Sequence, residues 1–163
     1  MSERSLRLIR PEDNSLVKSL VRNTLAEFGL AGEGYAGVDA ELDDMFSAYN
    51  NALSAYYVID CGGAIQGVGG FAPLLGSEND AIAELRKMYF VSDLRGQGWG
   101  HKLIELCLNE AKKRGFTAMY LETVPDMQVA QKLYLKHGFG YISERLGETG
   151  HHHCEVSMLK RLI

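Results

Sequence analysis

The stretch from Glu84 to Ala111 constrains the fold more than any other part of the chain. It reads in three parts. Ile82 to Val91 carries Tyr89, Phe90 and Val91 and predicts a β-strand. Three alternate glycines follow, Gly96, Gly98 and Gly100. Trp99, Leu103, Leu106, Cys107 and Ala111 then recur at helical spacing and mark one face of a helix. Ser92 and Asp93 break the strand pattern, and Gly115 stops the helix. A strand, a glycine turn and a helix N-terminus together make an anion site, because the first helical N–H groups have no partner within the helix and the macrodipole is positive there. Glycines let the backbone approach a phosphate closely. Arg95 adds a cation suited to phosphate. The expectation is a phosphate or pyrophosphate cradle at Gly96 to His101.

Two common cradles do not fit. The P-loop needs Gly-Lys-Ser/Thr at its end, and Gly100 is followed by His101 and Lys102. The dinucleotide fingerprint needs a third glycine at the position of His101.

The 163 residues predict one domain, 1–163, large enough to bury a core without staples. Hydrophobic content of 46% and charged content of 23% fit an ordinary globular protein. A net charge of −4 argues against a nucleic-acid partner. No apolar run reaches the roughly 20 residues of a membrane helix, and the N-terminus has no signal-peptide core. Cys61, Cys107 and Cys154 are odd in number and widely spaced, which suits neither a disulfide framework nor a zinc pattern. A reduced, cytoplasmic protein without a membrane partner is expected.

Leu6–Arg10 reads as a first strand, and Pro11 suits the first turn of a helix. Leu16, Leu20 and Phe28 mark the face of that helix, widened by Val17 and Leu25. Gly29 to Gly37 is a loop. A second helix is expected from Asp39 to about Leu53, with acidic residues in its first turn. Tyr56–Asp60 and Ala64–Pro73 form a hairpin about Cys61-Gly62-Gly63. Glycines 67, 69 and 70 in the second strand permit close approach of backbone or ligand. Phe116–Thr123 reads as a strand parallel to the central one, through a right-handed crossover. A helix follows over Asp126–His137, with Val129, Ala130, Leu133 and Tyr134 on one face. Phe139–Ser143 and Cys154–Leu159 are the last strands.

Arg95-x-x-Gly98-x-Gly100 resembles the pyrophosphate-binding motif of the GNAT superfamily of N-acetyltransferases. Ala130-Gln131-Lys132-Leu133-Tyr134-Leu135-Lys136-His137-Gly138-Phe139 is similar to the Ala-x-x-Leu-Tyr-x-x-x-Gly-Phe signature of the same superfamily. The resemblance implies a mixed α+β fold: a central, mostly antiparallel sheet of about six to seven strands flanked by about four helices. It implies acetyl-coenzyme A as cosubstrate, with Arg95, Gly96, Gln97, Gly98, Trp99, Gly100 and His101 at the pyrophosphate and Met88, Tyr89 and Phe90 along the acetyl-pantetheine arm.

The implied reaction moves an acetyl group from a thioester to a primary amine, a small molecule or amino acid. An amine of pKa near 10 arrives as ammonium, so a base must take its proton directly or through water. Glu84 and Glu122 stand where the superfamily keeps such a glutamate. Backbone N–H groups at Met88–Phe90 are placed by the resemblance at the oxyanion. Tyr134 is placed as the acid that protonates the departing thiolate. One position departs from the pattern: Met127 stands where an asparagine often contacts the pantetheine arm. His151-His152-His153-Cys154 lacks the spacing of a structural zinc site and is read as a polar turn near the acceptor, with no metal. The alternatives are a non-catalytic acetyl-coenzyme A sensor and an enzyme acetylating protein N-termini or lysines. A monomer or homodimer is expected.

Overall fold

The computed structural model describes residues 3–162. One seven-stranded sheet runs through it: β1 (Arg4–Leu8), β2 (Ala55–Cys61), β3 (Ala64–Pro73), β4 (Ile82–Phe90), β5 (Ala118–Thr123), β6 (Gly140–Ile142) and β7 (Val156–Arg161), in the order β1-β2-β3-β4-β5-β7-β6. Only the β4–β5 pairing is parallel, and the crossover helix α3 (Trp99–Lys113) joins those two strands. The other pairs are antiparallel. The helices α1 (Asn14–Glu27), α2 (Met45–Tyr49) and α4 (Gln128–Lys136) complete the mixed α+β fold.

Both faces of the sheet are covered, as the period of two in β2 requires. Tyr56 and Val58 point to one face and join Val17, Val21, Leu25 and Met45. Ala55 and Tyr57 point to the other and join Leu103, Cys107, Ala111 and Tyr134. Gly70 shows why β3 is glycine-rich: a Cβ there would lie 2.2 Å from the Ala55 carbonyl oxygen. None of the three cysteines forms a disulfide, and no helix among the described residues is long and apolar enough to cross a membrane.

Three expectations about helices need correction. The buried face of α1 is Val17, Leu20, Val21, Thr24 and Leu25. Leu16 is 47% exposed, and Phe28, at 36%, lies beyond the last helical residue. The apolar positions alone fit two overlapping stripes, and contact with β3 and β4 selected the other one. The helix expected from Asp39 breaks into short 3-10 turns, Ala36–Val38 and Ala40–Asp43, before α2. The Asp44 carboxylate caps α2 by accepting from Ser47 N, so the α-helix begins at Met45. In α4, Val129 faces solvent at 82% exposure, while Ala130, Leu133 and Tyr134 pack on the core.

A bulge interrupts β4. Val68 pairs with Tyr89 and Gly70 with Arg86, so Lys87 and Met88 together oppose Gly69. Lys87 has φ 47°, the left-handed conformation that side chains disfavour. Its backbone carbonyl accepts from Tyr56 Oη at 2.7 Å. Its Nζ donates to Asp39 Oδ2 at 2.6 Å and to Glu41 Oε2 at 2.9 Å. The bulge is held from both ends.

Candidate active site

The β4–β5 ladder has three rungs, Ile82–Ala118, Ala83–Met119 and Glu84–Tyr120, and then stops. Beyond Glu84 the strands part, and a cleft opens between them. It is lined by Met88 and Tyr89 from β4, Leu121 and Glu122 from β5, Tyr134 from α4 and His151 from the last loop. A second, adjoining chamber shares Glu84, Arg86, Lys87 and His151 and adds Asp39, Glu41 and Thr149.

The glycine turn follows the end of β4. Gly98 is the residue before α3 and has φ 85°, which suits glycine. The first N–H groups of α3 therefore stand free at a glycine turn. At Gly100 the need is closeness: a Cβ would lie 2.7 Å from Leu133 Cδ2 of α4. Arg95 does not hang loose. Its guanidinium pairs with Glu27 at 2.6 Å, lies 5.6 Å from the Phe28 ring centroid and donates to the Phe90 carbonyl at 2.9 Å. Gln97 donates to the Asp93 carbonyl. Lys102 sits over the Trp99 ring, and His101 Nδ1 lies 2.8 Å from His137 Nε2. Residues 95–101 are absent from the cleft lining, and so is Phe90, whereas Met88 and Tyr89 are part of it.

Glu84 and Glu122 converge. Together with His151 they offer donor atoms all within 4.8 Å of one another. Their partners differ. Glu84 is buried at 4% exposure, and its Oε1 accepts from Arg86 Nε at 2.7 Å. Burial raises its carboxyl above the ordinary range, against the pull of Arg86. Both oxygens of Glu122 are occupied: Oε1 accepts from Thr149 Oγ1, and Oε2 accepts from Tyr120 Oη at 2.6 Å. Arg145 adds charge at 3.7 Å. Tyr134 is buried, and burial pushes its phenol up to about 12. Its hydroxyl makes no hydrogen bond among the described residues. Met127 lines the cleft and accepts from Thr123 Oγ1 through its sulfur at 3.7 Å. Burial pushes the Cys154 thiol up to about 11, away from thiolate character.

Sequence reasoning placed Glu84, Glu122, Tyr134, Met88 and Tyr89 in one neighbourhood, and they do share it. It missed Asp39, Lys87 and the specific contribution of His151. His151 Nε2 bonds Asp39 Oδ2 at 2.8 Å across 112 residues of sequence. The histidine run stood without partner ligands in the sequence; the fold brings it beside two glutamates. Consecutive histidines were the available signal. Nothing in the sequence tied them to Asp39.

Comparison with known proteins bears on the family and the fold. Residues 22–139 match the model of the family described as Acetyltransferase (GNAT) family. The chain is 41% identical over 158 residues to the uncharacterized N-acetyltransferase YjgM of Escherichia coli strain K12, covering 96% of this chain and 94% of that one. An acetyltransferase of the GNAT family from Staphylococcus aureus Mu50 superposes with a TM-score of 0.81 at 16% identity, over 99% of this chain and all of that one. The paiA N-acetyltransferase of Thermoplasma acidophilum, solved in complex with coenzyme A, gives a TM-score of 0.73 at 16% identity over 98% of this chain and 99% of that one. The structural likenesses concern the fold.

Proposed function

The chain belongs to the GNAT family of acetyltransferases, and from that premise we propose that it transfers an acetyl group from acetyl-coenzyme A to a primary amine of a small molecule or amino acid. The observation that carries this reading is the shared cleft: the unpartnered hydroxyl of Tyr134 and the carboxylates of Glu84 and Glu122 line one opening between β4 and β5. Coenzyme A bound in one of the GNAT-fold relatives supports the choice of donor. The α3 N-terminus with Gly96, Gly98 and Gly100 would hold the pyrophosphate, and residues 88–90 would run beside the pantetheine arm.

Each group then has a task. Glu84 and Glu122 attract the ammonium form of the acceptor, and its proton leaves directly or through water into the carboxylate-lined chamber. The amine nitrogen attacks the thioester carbon. The oxyanion is stabilised by backbone N–H groups near the bulge. As the tetrahedral intermediate collapses, the nitrogen loses its second proton to water, the C–S bond breaks and the sulfur takes a proton from Tyr134. A phenol raised by burial is protonated throughout the neutral range, so it is available as this donor. The test is thiol release from acetyl-coenzyme A with a panel of amines, amino acids and short peptides. Turnover on an acceptor, lost in Tyr134→Phe, supports transfer; release that ignores Tyr134 counts against the acid role.

A further inference from the structure

We propose that His151, oriented by Asp39, is the general base that takes the proton from the acceptor amine, while Glu84 and Glu122 hold the ammonium in place. This rests on the acetyltransferase reading above and names the group that reading leaves open.

The orientation comes from a carboxylate that can only accept. Asp39 is ionised: burial raises its carboxyl, but the contacts with His151 and Lys87 more than reverse this and hold it below the usual range. His151 Nε2 lies 2.8 Å from Asp39 Oδ2 and 3.0 Å from Oδ1. Nε2 must therefore carry the hydrogen, and in the neutral ring Nδ1 keeps the lone pair. Nδ1 makes no hydrogen bond among the described residues. The ring lines both the cleft and the adjoining chamber. An imidazole with one nitrogen held by a carboxylate and the other open is the arrangement of a base.

Hydrogen bonds already engage the glutamates. Both oxygens of Glu122 already accept hydrogen bonds, from Thr149 and Tyr120. One oxygen of Glu84 is held by Arg86. Their charges still favour an ammonium beside His151.

The loop that carries His151 is clasped on both sides. Glu148 N donates to the Leu75 carbonyl at 2.7 Å, and His153 N donates to the Gly34 carbonyl at 3.3 Å. Arg145 donates to the carbonyls of His152 and Cys154. Asp39 in turn is fixed by Lys87. A base has to be positioned within a few tenths of an ångström, and these contacts supply that.

The step balances. Nδ1 takes a proton from the acceptor ammonium, whose N–H electron pair stays on nitrogen. That pair forms the bond to the acetyl carbon. As the intermediate collapses, the nitrogen gives its second proton to water, and the thiolate leaves with the C–S pair and takes the Tyr134 proton. His151 then gives its proton to water, and solvent reprotonates Tyr134.

The charged and titratable groups around His151 are Tyr35, Asp39 between the two 3-10 turns, Glu41 of the second turn, Glu84, Arg86, Lys87 and Tyr89 of β4, Glu122 of β5, Tyr134 of α4 and Cys154 of its own segment. Burial raises the Glu84 carboxyl above its ordinary range. The experiment uses the full chain with acetyl-coenzyme A and n-butylamine, lysine, spermidine and a glycyl peptide, followed on the best acceptor. In His151→Gln, kcat should fall about 100-fold, with KM for acetyl-coenzyme A within about threefold. Added imidazole should restore turnover to His151→Ala. His152→Gln, in the same loop, should behave as wild type. A His151→Gln enzyme with wild-type kcat overturns the proposal. So does a loss that imidazole does not restore, since that marks a structural role. Wild-type protein without turnover on any acceptor overturns the acetyltransferase reading and the proton role with it.

Discussion

Glu84 and Tyr120 face each other in the last rung of the parallel ladder between β4 and β5. Past this pair the strands separate, and the Tyr120 hydroxyl donates to Glu122 Oε2 at 2.6 Å. One residue thus ends the pairing and orients a carboxylate in the gap. Tyr120→Phe should cost about 2 kcal/mol of stability, because the hydroxyl also meets Ser157 Oγ at 3.1 Å and accepts from Leu146 N at 3.2 Å. It should raise KM for the acceptor more than KM for acetyl-coenzyme A. Urea unfolding and steady-state kinetics read the two effects separately.

Tyr134→Phe should leave folding nearly unchanged, because the hydroxyl bonds nothing among the described residues while the ring stays buried. Turnover should fall about 10- to 100-fold, in keeping with the loss of one proton donor. The wild-type phenol, pushed up to about 12, must be protonated to act. Tyr134 should therefore cause no alkaline fall in kcat between pH 7 and about 10. A fall in that range that disappears in the phenylalanine variant would contradict this.

Lys87 ties the β4 bulge to Asp39 and Glu41, with its side chain only 2% exposed. Lys87→Met removes the cation and leaves two part-buried carboxylates close together. The expected cost is about 3 kcal/mol, the low end for breaking a buried pair, because both carboxylates keep some contact with water. Thermal or urea denaturation measures it. Activity should fall as well, since Asp39 loses one of the contacts that hold it against His151.

These residues show what could be read in the sequence and what could not. The strands, the glycine turn before α3 and the Tyr134 helix were legible because each depends on local pattern: alternation in β2, spacing in α3, glycine at Gly98. The second helix was misread for a physical reason. Asp39 resembles a helix cap in sequence, but its carboxylate is spent on Lys87 and His151, and Asp44 does the capping at Met45. The stripe in α1 was misjudged because Leu16 and Phe28 fit a helical period equally well, and only packing against the sheet chooses between faces. The Asp39–His151 contact joins two loops 112 residues apart, and no local rule encodes it.

Acid should unfold the protein partly through Asp13. Burial raises this carboxyl, and hydrogen bonds from Arg7 and the Arg10 amide more than offset it, leaving it below its usual value of 3.8. A carboxyl lowered on folding contributes stability that is present above its unfolded pKa and is lost as pH falls through the folded one. Asp13→Asn should therefore lower stability at pH 7 by about 2–4 kcal/mol. The gap to wild type should shrink as pH falls through the usual carboxylate range and below it. Denaturation midpoints across pH 2–7 test the sign.

The central claim is that one cleft binds acetyl-coenzyme A and transfers its acetyl group to an amine. The most direct measurement is thiol release from acetyl-coenzyme A against the amine panel, run beside Tyr134→Phe and Gly98→Glu. Turnover on at least one acceptor is expected, together with an acetylated product. Tyr134→Phe should lose kcat, and Gly98→Glu should lose acetyl-coenzyme A binding. Tight binding of acetyl-coenzyme A with no thiol release on any acceptor would contradict the account and point instead to a protein that senses the cofactor.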